Sequence, residues 1–274
     1  VDSLEIICIG NELLIGKTLN TNATWLAKNA TTLGLMVKRI TVIGDNVEEI
    51  AKTLKDSLKR KPELVITTGG LGPTFDDKTL EGIACGLGRH LVVNKDALKL
   101  VKEKYKGYLA QSNTGKIELT PPRIKMATLP EKARPLPNPA GTAPGVMLSV
   151  KGTLIVALPG VPPEMEAIFK GSLADIIKKK AGESSFFDAS VYAENIMEST
   201  LAPLIDDVMR DNPAVYVKSH VYTEAHVRVE GQKSHIELHF STTADNQEKA
   251  QVDLDQAMRQ LSNLVQKNGG RITK

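Results

Sequence analysis

Short apolar runs of β type alternate with helical periodicity through the first two-thirds of this chain, and that alternation restricts its fold more than any single motif. Leu4 to Ile9 reads as a buried strand. Ala23, Leu26, Ala27, Ala30 and Leu33 then mark one face of a helix, with Gly34 in the left-handed closing position. A second strand covers about Met36 to Ile43, and its helix carries Val47, Ile50, Ala51, Leu54 and Leu58 before Pro62 stops it. A third strand, Leu64 to Thr67, passes through Gly69-Gly70-Leu71-Gly72 into a helix bearing Leu80, Ile83, Ala84 and Leu87. Repeated β-loop-α units of this length imply strands lying mostly parallel with helices on both faces, so the expected class is α/β with a mostly parallel sheet.

A longer helix around Ala97 to Leu109 is followed by a proline-rich stretch through Pro144. Strands near Val146–Val150 and Leu154–Leu158 and a helix from Pro162 to Lys179 complete an expected first domain, residues 1–180. The polar run from Lys178 to Ser185 suits a linker. Beyond it the pattern reads strand (Phe186–Ala193), helix (Thr200–Arg210), three strands between Ala214 and Ser241, helix (Ala244–Lys267) and a closing strand (Arg271–Thr273). That is a small α+β domain over residues 181–274.

The 274 residues suffice for two such cores. Net charge is +3 and is spread along the chain, so no nucleic-acid partner is expected. No window approaches membrane-spanning length and the N-terminus has no basic, apolar leader, which points to the cytoplasm and away from a membrane. Cys8 and Cys85 sit in apolar segments and read as reduced core thiols. The five histidines show no metal-type spacing.

Gly10-Asn11-Glu12-Leu13-Leu14-Ile15-Gly16-Lys17-Thr18 imitates a P-loop but places five residues between its outer glycines where that motif needs four. Asn20 and Thr21 also suit a helix start, which leaves Lys17 outside the helix. The P-loop reading is rejected. The strongest motif is Thr67 to Thr79, where a strand end, three glycines (Gly69, Gly70, Gly72), Thr74 and the acids Asp76 and Asp77 precede a helix. Glycines let a ligand approach the backbone and present N–H groups to an anion, and a helix start adds its positive dipole end. Two acids beside a phosphate repel it unless a divalent cation lies between them. Helix capping is the plain alternative for either aspartate, but a cap needs no glycine cluster.

Gly44-Asp45-Asn46 ends the second strand and Gly10-Asn11-Glu12 ends the first, so three successive strands each deliver an acid to one sheet edge. The loop Pro137 to Gly145 offers Asn138 and Thr142 as hydrogen-bond donors, with Gly141 and Gly145 admitting a ligand. Leu158 to Met165 is a strand-turn-helix junction carrying Gly160 and Glu164.

Taken in order, these loops resemble those of the competence/damage-inducible CinA family, over roughly residues 4–170. The Gly-Gly-x-Gly…Asp-x-Thr segment is also similar to the molybdenum-cofactor enzymes MogA, MoaB and gephyrin. Residues 186–274 look like the KH-type middle domain of CinA proteins, although the Gly-x-x-Gly loop that KH modules use for RNA does not occur. The chain stops before a C-terminal nicotinamide mononucleotide amidohydrolase domain would begin, so deamidase activity is not carried over. The resemblance implies a homodimer or other homo-oligomer and metal-dependent hydrolysis of ADP-ribose, or a related nucleotide diphosphate, to AMP and ribose 5-phosphate. The alternatives are molybdopterin binding and a non-catalytic nucleotide-binding module. Asp45, Asp77 and Glu12 are the expected catalytic acids. Asp45, Asp76 and Asp77 are the expected ligands of a divalent metal (Mg, or Mn, Co or Ni). Gly10, Asn11, the glycine-rich loop with Thr74, the Asn138–Gly145 loop, Gly160 and Glu164 are expected to contact the phosphorylated small molecule.

Overall fold

β1 (Ser3–Ile9), β2 (Met36–Ile43) and β3 (Leu64–Thr68) lie side by side with β1 in the middle. β4 (Leu91–Val93) and β5 (Thr128–Pro130) pair as a separate antiparallel ribbon. β6 (Arg134–Leu136), β7 (Gly145–Val150) and β8 (Thr153–Leu158) complete a six-stranded sheet of order β2-β1-β3-β8-β7-β6. The first four of these are parallel, and β7 pairs antiparallel with both β8 and β6. This computed structural model describes residues 3–112, 119–181, 185–222 and 235–273. The chain divides into two units, Val1–Ala181 and Gly182–Lys274.

The first unit contains α1 (Asn11–Leu14), α2 (Thr21–Thr32), α3 (Val47–Lys59), α4 (Thr79–Leu87), α5 (Lys95–Ser112), α6 (Pro121–Lys125), α7 (Pro162–Ile168) and α8 (Ala174–Ala181). Alternate residues of the central strands enter two different cores. Leu4, Ile6 and Cys8 of β1, with Ile66 of β3 and Val156 and Leu158 of β8, pack against Leu26 of α2 and Met165 of α7. Ile7 and Ile9, with Val65, Ile155 and Ala157, pack against Ile50 and Leu54 of α3 and Ile83 of α4. A strand covered on both faces needs an apolar residue at nearly every position, which is why these runs are continuous. Each fully buried Leu or Ile contributes about 1.5–3 kcal/mol.

Asn20 caps α2 by accepting from the Ala23 N–H at 3.1 Å, so Lys17 does lie ahead of the helix. Gly34 adopts φ 86°, the left-handed position that closes it. Three details differ from expectation. The helix expected from Pro162 to Lys179 is split by a π-helical turn, Phe169–Leu173, between α7 and α8. Cys8 is buried but Cys85 is exposed, because α4 turns Ile83, Ala84 and Gly86 inward and the residue between them outward. The proline-rich stretch contains α6 and two short strands, none of them long enough to show a period.

The second unit runs β9 (Ser185–Glu194), α9 (Glu198–Asp211), β10 (Val215–Tyr222), β11 (His235–Ala244), α10 (Gln247–Lys267) and β12 (Arg271–Thr273). Its sheet order is β10-β11-β9-β12, with all neighbours antiparallel. This is the split β-α-β arrangement of ferredoxin-like modules. The KH expectation is not shown: among the described residues no two helices of this unit are consecutive, whereas a KH module joins two helices through its Gly-x-x-Gly loop. Between Ala214 and Ser241 the described residues hold two strands rather than three, and residues 223–234 lie outside them. β11 extends to Ala244, and α10 begins only after Asn246, whose side chain accepts from the Lys249 N–H at 2.8 Å.

Candidate functional site

The chain leaves β1 for β2 on one side and then crosses to β3 on the other, so the carboxyl ends of β1 and β3 flank the point where strand order reverses. Open α/β sheets bind ligands in that crevice. The loops after the two strands touch: a Cβ on Gly69 would lie 2.0 Å from the Ile9 carbonyl oxygen, and Gly69 also has φ 106°. Only glycine satisfies both demands. The loop after β8 joins them, with the Gly69 N–H donating to Leu158 O at 3.0 Å.

Past Gly69 the backbone N–H groups of Gly70, Leu71 and Gly72 have no acceptor among the described residues. Gly70 is held at φ 65°, and the Thr79 hydroxyl fastens the turn by donating to Gly69 O at 2.7 Å. Successive N–H groups around a left-handed residue make an anion-binding concavity. The same three residues line a cavity of about 380 Å³, together with Asp77, Leu80, Leu91, Ile124 and Lys125. Its wall is apolar and its rim is charged, which suits a ring system carrying a phosphate.

The acids come together only in part. Asp76 and Asp77 share Thr74: its hydroxyl lies 2.5 Å from Asp76 Oδ1 and 2.5 Å from Asp77 Oδ2, and its N–H donates to Asp77 Oδ2 at 2.8 Å. That Thr74 hydrogen bond, then Asp76's own backbone N–H and the Lys125 charge, hold the Asp76 carboxyl below its ordinary pKa. A Cβ on Gly72 would lie 2.6 Å from Asp77 Oδ2, so this glycine admits the protein's own carboxylate. Asp45 is turned toward the first loop, where Oδ2 accepts the Asn11 N–H at 2.8 Å and Asn11 Oδ1 accepts the Asp45 N–H at 3.4 Å. Glu12 lies over Gly10, whose Cβ would meet its carboxylate at 2.4 Å. Among the described residues no three His, Cys, Asp or Glu side chains are gathered closely enough to hold a metal ion. Asp76 and Asp77 are held by Thr74 of their own loop, Asp45 is held across to Asn11 in the loop after β1, and Glu12 lies against Gly10.

The Asn138–Gly145 loop also departs from expectation. Asn138 is buried, its Nδ2 donates to Ala143 O at 2.8 Å and Glu164 Oε2 at 2.7 Å, and its Oδ1 accepts from the N–H groups of Ala140 (3.1 Å) and Gly141 (2.9 Å). All four hydrogen bonds available to an amide are made inside the protein, so Asn138 is a staple and not a ligand donor. Gly141 makes room for Glu164, whose carboxyl carbon would stand 2.0 Å from an added Cβ. Gly145 is buried against Ile168, which makes it a packing glycine. Thr142 keeps only a long contact to Met126 Sδ, 3.8 Å, and remains available to a ligand.

Two residues of the site escaped the sequence reading. Asn22 Nδ2 donates to Thr68 Oγ1 at 3.0 Å and Gly160 O at 2.8 Å, tying α2 to the ends of β3 and β8, while its Oδ1 is buried without a partner among the described residues. In sequence it reads only as part of a helix start. Lys125 donates from Nζ to Thr74 O across 51 residues of sequence separation. Its short helix opens on two prolines and shows no period that would attract notice.

The fold and this glycine-lined edge define a class of protein. The chain belongs to the family described as a probable molybdopterin binding domain, which matches residues 5–179. Among solved structures it is similar to the CinA protein of Thermoplasma acidophilum, 42% identical with a TM-score of 0.58, over 64% of this chain and 99% of that one. A protein of Metallosphaera sedula is 41% identical over 98% of this chain and 97% of its own length. A Pyrobaculum calidifontis protein is 42% identical over 95% and 94% respectively, so both relatives span the two units. Among the described residues no helix is long and apolar enough to cross a membrane.

Proposed function

We propose that the first unit binds a phosphorylated pterin of the molybdopterin type at the carboxyl edge of β1 and β3. The observation that carries this reading is the run of three N–H groups, Gly70 to Gly72, with no acceptor among the described residues, opening on the cavity beside them. The N–H groups receive the phosphate and the apolar wall of Leu80, Leu91 and Ile124 covers the ring. Phosphate held by backbone donors needs no reorganisation of the protein, because the loop is already fixed by Gly69 and Thr79.

Hydrolysis of ADP-ribose or a related nucleotide diphosphate is the second reading, favoured by the pair of carboxylates at the same loop. Magnesium is commonly held by one or two carboxylates together with the ligand's phosphates. Asp76 and Asp77 fit that demand, whereas Asp45 is committed to Asn11. When bound there, the metal would polarise the phosphoryl oxygens. The chain's own part is to hold the two carboxylates through Thr74 and to offer the Gly70–Gly72 N–H groups to the charge that develops. Calorimetric titration of the full chain with molybdopterin and with ADP-ribose, with and without magnesium, decides between them. Micromolar molybdopterin binding without turnover is expected. Magnesium-dependent AMP release with no molybdopterin binding would reverse the order of the two readings.

A further inference from the structure

Lys125 is the only cation among the described residues lining the cavity at the glycine-rich loop; the other charged groups there are Asp77 and Glu81. Its backbone is firmly placed. The Ile124 N–H donates to Thr120 O at 3.0 Å, the Arg123 guanidinium stands 3.9 Å over the Tyr105 ring, and Met126 and Ala127 are buried in the core. The ammonium itself rests on the carbonyl oxygen of Thr74, in the exposed loop that carries Asp76 and Asp77. A fixed backbone therefore carries a charge that borders both the cavity and its acidic rim.

We infer that Lys125 is the exchangeable cation of this site, bridging to the Thr74 carbonyl in the free protein and moving to the phosphate of the bound ligand. This rests on the Gly70–Gly72 loop being a phosphate cradle. A carbonyl offers only a partial charge, whereas a phosphate oxygen makes a charge-assisted bond roughly twice as strong. Thr74 lies in the exposed loop, so its released carbonyl passes to water at little cost. An ammonium has three donors, and Thr74 occupies one. Lys125 also offsets the negative charge that Asp76 and Asp77 would otherwise present to an arriving phosphate. The ligand class it selects is a phosphate ester over its dephosphorylated counterpart.

The test compares the wild-type chain, Lys125→Gln and Lys125→Arg by calorimetry against molybdopterin, dephosphorylated molybdopterin and inorganic pyrophosphate. Lys125→Gln should weaken both phosphate-bearing probes by about ten- to a hundredfold and leave the dephosphorylated pterin unchanged. Lys125→Arg should stay within a few-fold of wild type, which a merely structural role for the side chain would not require. Equal binding of the phosphate probes by wild type and Lys125→Gln overturns the inference and leaves the proposed function standing. Lys125-dependent pyrophosphate binding with no affinity for molybdopterin does the reverse. A wild-type chain that binds neither probe overturns both.

Discussion

Asn138 and Glu164 are joined directly, Nδ2 to Oε2 at 2.7 Å, and this bond ties the Asn138–Gly145 loop to the first turn of α7. The remaining polar contacts of the amide stay inside the loop. Asn138→Asp removes both donors, strands the Ala143 carbonyl and sets two carboxylates against each other. Urea unfolding should show a loss of about 2–5 kcal/mol. Glu164→Gln keeps an acceptor in place and should cost less than about 1 kcal/mol.

Gly82 faces α3 so closely that an added Cβ would lie 2.5 Å from the Ile50 side chain. Helix propensity alone predicts that Gly82→Ala stabilises by about 1 kcal/mol. Ile50 is itself buried and has little room to yield, so overpacking of about 1–3 kcal/mol should win. Thermal unfolding of the variant should therefore occur below that of the wild type.

Glu5 and Arg60 form a two-point ion pair, with Arg60 Nε and Nη2 each 2.6 Å from a carboxylate oxygen. Burial pushes the Glu5 carboxyl up, but the Arg60 hydrogen bonds and the charges of Arg60 and Arg39 outweigh it, leaving the folded pKa below its ordinary 4.5. A carboxylate whose pKa is depressed on folding stabilises fully above its unfolded pKa, and that stability is lost as pH falls through the folded value. Urea midpoints measured from pH 7 down to about 3 should fall more steeply for the wild type than for Glu5→Gln. Parallel curves would remove this pair from the acid response.

Asp77→Asn retains an oxygen that can accept from the Thr74 N–H and hydroxyl, so its unfolding midpoint should stay within about 1 kcal/mol of wild type. It also removes a negative charge beside the phosphate cradle. Metal-free binding of pyrophosphate should tighten by about fivefold, the size expected of one screened charge lining the same cavity. Weakened metal-free binding would mean that Asp77 contacts the ligand as an acceptor.

The sheet was legible because β1, β3 and β8 are buried on both faces and so read as unbroken apolar runs. The arrival of Asp45, Asp77 and Glu12 at one edge was legible too, since each follows a strand and those strands are neighbours. Which atoms those acids face was not. Asp45 to Asn11 and Asn138 to Glu164 are contacts between loops 34 and 26 residues apart, and spacing cannot distinguish a group offered to a ligand from one satisfied within the protein. The glycines misled for the same reason: Gly10 and Gly141 signal a close approach, but what approaches is Glu12 and Glu164. Lys125 lay hidden in a five-residue helix. The second unit's strand order depends on which strands pair across the sheet, and periodicity within a strand carries no such information.

Amide hydrogen exchange across the Thr67–Thr79 loop, with molybdopterin and with its dephosphorylated form, tests the central claim most directly. The N–H groups of Gly70, Leu71 and Gly72 should become protected with the phosphorylated ligand and remain unprotected with the other. Tight binding of molybdopterin that leaves those three amides unprotected, or protects the Asn138–Gly145 loop in their place, would contradict a phosphate held at this turn.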